Sequence, residues 1–153
     1  SERSVTALEP AAGMRSLARP VRWIGGEAEH LPLRDASVDA AYSTWAYFFS
    51  RNWDPTPGLA ELQRVVRPGG LMAIVDNLGD DEFTALAPDP TALSADPEFW
   101  KQQGFEYRVI NTRFEFDSPT EAEELLTLYF GESPDHKNRQ TLTYRVALFT
   151  RGA

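Results

Sequence analysis

The chain has 153 residues, a length that fits one domain with a substantial core, since a domain of about that size hides roughly 70% of its unfolded surface. Hydrophobic residues at 42% and charged residues at 25% exclude the composition of a disordered segment. A formal net charge of -8 argues against nucleic acid and against an anionic membrane surface, because phosphate binding is driven by Lys and Arg, and points to a small molecule or another protein as partner.

With no cysteine in the chain, disulfides, thiolate-bound zinc and thiol catalysis are excluded. The only histidines, His30 and His136, are far apart in sequence, so no metal site is expected. No run approaches the roughly 20 apolar residues needed to span a bilayer, and no basic segment followed by an apolar one opens the chain. These absences point to the cytoplasm. The chain begins at Ser1 rather than Met and enters a strand almost at once, from which removal of upstream sequence is expected.

In chain order, Val5-Thr6-Ala7-Leu8 reads as a short strand stopped by Glu9-Pro10, with the carboxylate just past the strand's carboxyl end. A short helix is predicted over Ala11 to Arg19, ended by Pro20, and Val21 to Ile24 is a second strand closed by Gly25-Gly26. Leu31 to Ser37 is loop. Val38 to Ser43 resembles a buried strand that runs into the aromatic series Trp45, Tyr47, Phe48, Phe49. From Thr56 to Arg67, Leu59, Leu62, Val65 and Val66 recur on one helical face, with Glu61, Gln63, Arg64 and Arg67 turned outward. Pro68-Gly69-Gly70 then breaks the helix, and Leu71 to Val75 is a continuous apolar strand. Asp80 to Asp96 is a polar surface excursion with a partial helix. Pro97 to Gln103 is a helix ended by Gly104, and Tyr107 to Phe116 is a long alternating strand. Ser118-Pro119-Thr120-Glu121 starts a helix that runs to Phe130 and stops at Gly131. Thr141 to Thr150 alternates as a closing strand, able to pair antiparallel with the one before it.

Strands alternating with helices in this order predict an α/β domain, with residues 1–153 forming a single unit. Three stretches then carry a resemblance: Val5-Thr6-Ala7-Leu8-Glu9-Pro10 with Met14; Gly26-Glu27-Ala28-Glu29-His30-Leu31-Pro32-Leu33 with Asp35, Ser37 and Asp39; and Glu61 with Arg64-Val65-Val66-Arg67-Pro68-Gly69-Gly70-Leu71. In this order and at these gaps the chain resembles the class I S-adenosylmethionine-dependent methyltransferases acting on small molecules, over nearly its whole length.

The resemblance implies a Rossmann-like sheet, mostly parallel with an antiparallel C-terminal strand, and S-adenosylmethionine as cofactor. It implies that Glu9 accepts hydrogen bonds from the two ribose hydroxyls, a task suited to an acceptor-only carboxylate. It places Pro10, Met14, Glu27 and Ala28 around the adenine, and Ser43 with Trp45 and Tyr47 at the methionine end and the methyl acceptor. Taken without the family, Glu9 is a solvated strand-end acid, Pro10 a turn proline, Met14 a core methionine and Glu27 a loop acid. The aromatic cluster reads as core or a dimer surface as readily as an acceptor site. No residue stands out as a general base, so none is assigned as catalytic.

The family opens with a strand, a glycine-rich loop and a helix that this sequence does not contain, Gly25-Gly26 following the wrong strand and Gly69-Gly70 preceding one. In the family's strand order 3-2-1-4-5-7-6 that strand is central, and its removal leaves flanking strands roughly 10 Å apart, too far for backbone hydrogen bonds. Three expectations follow: an upstream part outside this sequence, a sheet closed in a different order, or self-association that fills the gap. The functional expectation is methyl transfer to a small-molecule acceptor in the intact parent protein. Its rival is a cofactor-free methyltransferase-like fragment acting through protein association.

Overall fold

In the computed structural model, residues 4–15, 21–46 and 54–153 are described. The first strand, β1 (Thr6–Leu8), runs parallel to β2 (Arg22–Ile24), with Leu8 opposite Ile24. Pro10 cannot donate to the ladder, so pairing ends one residue past Leu8, where the Glu9 N–H donates to the Ile24 carbonyl at 3.2 Å. The helix expected over Ala11 to Arg19 is only a 3-10 turn at Ala12–Met14 among the described residues, with residues 16–20 lying outside them. Its brevity has a local cause. The Arg15 guanidinium donates from Nε to the Glu9 carbonyl at 2.9 Å and from Nη2 to the Pro10 carbonyl at 3.2 Å, closing the segment into a loop.

Strand β3 (Val38–Thr44) leads toward the aromatic run, of which Tyr47, Phe48 and Phe49 lie outside the described residues. Helix α1 (Thr56–Val65) buries Leu59, Leu62 and Val65, as the spacing predicts, but stops two residues short of Arg67. Val66 is already extended at φ -78 and ψ 131, and β4 covers Val66–Asn77 rather than beginning at Leu71. The residue before a proline is biased toward extended backbone, so the chain leaves the helix ahead of Pro68, and Gly69 and Gly70 fall inside the strand. Gly69 takes φ +77 while its N–H donates to the carbonyl of Ala153 at 3.0 Å.

Helix α2 (Pro97–Gln102) starts on Asp96, whose side chain accepts the Glu98 N–H at 3.0 Å, and Gly104 follows it at φ +81. Strand β5 (Glu106–Glu115) and strand β6 (Thr141–Gly152) are antiparallel, with Glu106 opposite Thr150 and Glu115 opposite Thr141. Between them α3 (Pro119–Phe130) is capped reciprocally: Ser118 Oγ accepts the Glu121 N–H at 3.1 Å, and Glu121 Oε2 accepts the Asp117 N–H at 2.6 Å.

The strands form a two-stranded sheet, β1-β2, and a four-stranded sheet in the order β3-β4-β6-β5. Strands β1 and β3 do not become neighbours, so the reordered sheet expected as one outcome is not what forms. The chain divides into two compact units. One comprises β1, β2, α1, residues 38–41 of β3, residues 66–72 of β4 and the last two residues. Its buried apolar groups are Leu59, Leu62, Val65, Val66 and Met72. The other comprises, among the described residues, 42–46, 54 and 73–151 and holds the larger core, in which Trp100 stacks on Phe149 at 5.1 Å between ring centroids and meets Phe105 edge-on.

Candidate functional site

In the first unit the parallel pairing of β1 with β2 brings two sequence-predicted groups to one end of a sheet. Glu9 follows the last residue of β1, and Glu27-Ala28 lies three to four residues beyond the end of β2. The Glu9 carboxylate accepts the Ala11 N–H through Oε1 at 2.9 Å. A carboxylate has about four lone-pair sites, so this bond leaves it acceptor capacity. Met14 is 72% exposed, which removes the reading of a core methionine. Glu27 and His30 form an isolated antiparallel bridge, with the His30 N–H donating to the Glu27 carbonyl at 3.1 Å, so Glu27-Ala28-Glu29-His30 is one tight turn. Gly26 admits that turn: a Cβ there would lie 2.8 Å from Pro32 Cδ and 3.0 Å from Leu8 Cδ1.

What holds the loop after this turn is a pair taken from sequence as outward-facing. Arg64 forks onto Glu61, Nε to Oε1 and Nη2 to Oε2, both at 2.7 Å. Its remaining donors take the Leu33 carbonyl at 2.9 Å, the Leu31 carbonyl at 3.0 Å and Asp35 Oδ1 at 2.6 Å. Glu61 Oε2 also accepts the Leu31 N–H at 2.8 Å. The Arg64 guanidinium holds the Glu61 carboxyl down at about 2, and Glu61 with Asp35 raises the Arg64 pKa further above its ordinary value. These two side chains tie the 31–35 loop to α1. Helical periodicity alone, which placed them on the solvent face, could not show a loop folded over that face.

In the second unit the carboxyl end of β3 carries Ser43, half-buried, and Trp45. Trp45 adopts φ +51, unusual for a bulky side chain, and its N–H donates to the Val75 carbonyl at 2.9 Å. Its indole Nε1 donates to Asn77 Oδ1 at 2.8 Å and to the Tyr144 hydroxyl at 2.9 Å, while Tyr144 donates to Asn77 Oδ1. The indole is therefore pinned at its nitrogen yet 48% exposed, which removes the reading of Trp45 as core. Burial pushes the Tyr144 phenol up to about 12. Asn77 and Tyr144 were missed from sequence. The available signal was that polar residues interrupt apolar runs on β4 and β6.

Asp76, beside Asn77 in sequence, is fully buried; its Oδ1 accepts the Asn77 N–H at 2.8 Å and its Oδ2 has no hydrogen-bond partner among the described residues. Burial pushes this carboxyl up to about 7. No group of three or more His, Cys, Asp or Glu suited to a metal occurs among the described residues.

The chain is similar to class I S-adenosylmethionine-dependent methyltransferases, and its fold is the Rossmann-like one, mixed α/β with an antiparallel strand near the C-terminus. The methyltransferase-domain family matches residues 1–74. A malonyl-acyl-carrier-protein O-methyltransferase of Pectobacterium atrosepticum is 40% identical over 91 residues, 56% of this chain and 34% of that protein. A demethylmenaquinone methyltransferase of Deinococcus radiodurans is 42% identical over 65 residues, 42% of this chain and 25% of that protein. The chain thus spans about a third or less of the length of these curated relatives. Among solved structures, the YcgJ protein of Bacillus subtilis superimposes with a TM-score of 0.61 at 19% identity, over 96% of this chain and 81% of that one. The cyclase SpnF superimposes with a TM-score of 0.54 at 17% identity, over 98% of this chain and 66% of that one.

Proposed function

We propose that the protein carrying this chain transfers a methyl group from S-adenosylmethionine to a small acceptor. The observation that supports this reading is the parallel pairing of β1 with β2, after whose carboxyl ends Glu9 and the Glu27-Ala28 turn follow. The residues present fit part of the cofactor. Glu9 retains acceptor capacity for a vicinal diol, Pro10 and exposed Met14 offer apolar surface beside it, and Glu27 is an acceptor for an exocyclic amine with Ala28 leaving room. When bound, the cofactor supplies an electrophilic methyl on a sulfonium centre, and the protein's part is to hold and orient the reactants. Ser43, with Trp45 and Tyr47, is assigned to the methionine end and the acceptor. The relatives named as a malonyl-acyl-carrier-protein O-methyltransferase and a demethylmenaquinone methyltransferase support methyl transfer as the reaction. We place the protein in the cytoplasm; no helix among the described residues is long and apolar enough to cross a membrane.

The test is calorimetric titration with S-adenosylmethionine. Glu9→Ala removes a charged acceptor from two hydroxyls, and since such hydrogen bonds are worth about 1.5 to 3 kcal/mol, binding should weaken roughly tenfold or more. An unchanged dissociation constant in the folded variant would take Glu9 out of the site. The likeness to a cyclase shows that this fold serves other chemistry, so transfer of a labelled methyl group is the second readout. A protein that neither binds the cofactor nor transfers the label would favour the rival reading, a module acting through protein association.

A further inference from the structure

The Glu61–Arg64 pair reaches further than the loop it ties. The two side chains are 21% and 32% exposed, whereas that of Asp35, the third member of the group, is 80% exposed. Leu31 is held by both members of the pair: its N–H donates to Glu61 Oε2 at 2.8 Å, and its carbonyl accepts from Arg64 Nη2 at 3.0 Å. The Leu33 carbonyl accepts from Arg64 Nη1 at 2.9 Å. Farther along, the Ala36 N–H donates to the Arg64 carbonyl at 2.9 Å and the Ser37 N–H to the Val65 carbonyl at 2.8 Å. The loop thereby caps carbonyls that the last turn of α1 leaves without a helical partner. Ala36 adopts φ +50, a conformation that an alanine keeps only where its surroundings over-determine it.

Two short links run from this clasp to the Glu27-Ala28 turn. The first is along the chain. The turn closes with the His30 N–H on the Glu27 carbonyl at 3.1 Å, and the next residue is Leu31. The second is steric. Pro32 stands between Leu31 and Leu33, whose carbonyls Arg64 holds, and a Cβ on Gly26 would lie 2.8 Å from its Cδ. The turn is gripped at both ends, at Gly26 by the Pro32 ring and after His30 by the bound Leu31. Glu9 is held by other means. Its N–H donates to the Ile24 carbonyl at 3.2 Å, its carbonyl accepts from Arg15 Nε at 2.9 Å, and its carboxylate accepts the Ala11 N–H at 2.9 Å.

We infer that Glu61 and Arg64 are positioning residues for cofactor recognition, fixing the Glu27-Ala28 turn through the 31–37 loop in the conformation that receives the adenine. The inference rests on the reading of that turn as the adenine contact. A carboxylate binds an exocyclic amine only at roughly 2.7–3.2 Å, so a turn free to drift by about an ångström loses the bond. Lysine cannot replace Arg64 here, because a compact ammonium lacks the planar fork that grips Glu61 twice and still reaches two carbonyls. Asp35 contributes little, being an exposed partner of a single Arg64 nitrogen.

The test combines amide exchange on the ligand-free chain with double-mutant cycles read by calorimetric titration with S-adenosylmethionine. Arg64→Lys keeps the charge and loses the fork. Exchange at His30 and Leu31 should rise roughly tenfold or more, with the Glu9 amide and the circular dichroism unchanged. Cofactor affinity should fall roughly tenfold. In a Glu27→Ala background that loss should nearly vanish, because the bond it acts through is already gone. In a Glu9→Ala background the two losses should add. Asp35→Asn should change neither readout. If Arg64→Lys does not fold, Glu61→Gln, which keeps one acceptor oxygen, takes its place in the same cycles. Equal losses in the two backgrounds would mean a general loosening and overturn the inference, as would turn amides whose exchange does not change. Turn amides that loosen in a chain that binds no S-adenosylmethionine would instead overturn the methyltransferase reading and leave the clasp standing.

Discussion

At the scale of single residues, Asp76 is the group whose environment departs most from water. It is fully buried at the end of the face that Met72 and Ile74 fill, and burial moves its carboxyl from 3.8 up to about 7. Between those values the folded chain binds a proton there that the unfolded chain does not. Stability therefore falls as pH rises, is fully present below the unfolded value and is lost through about pH 7, by on the order of a few kcal/mol. Denaturant unfolding of Asp76→Asn should show a flatter dependence between about pH 4 and 7 than the parent chain; an unchanged slope would mean that Asp76 does not titrate there. Glu61 works in the opposite sense, its depressed carboxyl adding stability above its ordinary pKa that is lost as pH falls toward about 2. Neither behaviour was legible in the sequence, because Asp76 falls just past the apolar run read over Leu71 to Val75 and Glu61 reads as an outward-facing helix acid. Glu9 and Glu27 were candidates through the family resemblance, without which they read as a solvated strand-end acid and a loop acid. Their common location needed the parallel β1-β2 pairing, a long-range fact that periodicity does not contain.

Elements were read more faithfully than residues, and where they were misread a single side chain or turn explains it. Caps at Asp96 and Ser118 and the stop at Gly131 fix α2 and α3 within a residue of expectation, since local side-chain to backbone bonds set those ends. The junction of α1 with β4 was misplaced because Pro-Gly-Gly reads as a turn, while here both glycines sit in the strand. Their roles differ. A Cβ on Gly70 would lie 2.5 Å from Val66 Cγ1 and 2.6 Å from the Asp39 carbonyl oxygen, whereas one on Gly69 would have open space. Gly70→Ala must push backbone apart and is expected to cost about 3 kcal/mol or more. Gly69→Ala carries only the penalty of a side chain at positive φ, about 1 to 2 kcal/mol. Thermal unfolding of the two variants orders these costs, and equal losses would show that the approach of Asp39 to Gly70 does not matter.

For the whole molecule, the decisive contrast is between the two units and what each can bury. In the second, Trp100, Phe149, Leu126 and Leu142 are fully or almost fully buried, and β5 pairs with β6 from Glu106 to Glu115. In the first, β1 and β2 are three residues each, their burial is partial, and a two-stranded sheet has little independent stability. Backbone amides open with free energies that follow local burial and pairing, so the units should exchange hydrogen at different rates. The Glu9 and Ile24 region should exchange early and the β6 amides between Leu142 and Phe149 late. Ligand binding adds a second, independent check. A ligand that binds the folded chain stabilises the segment it touches by mass action, so S-adenosylmethionine at saturating concentration should slow exchange at Glu9, Ala11 and the Glu27 to His30 turn. It should leave the β5-β6 ladder nearly unchanged. Protection confined to β5 and β6, or none in a protein shown to bind the cofactor, would move the cofactor site away from the end of β1 and β2.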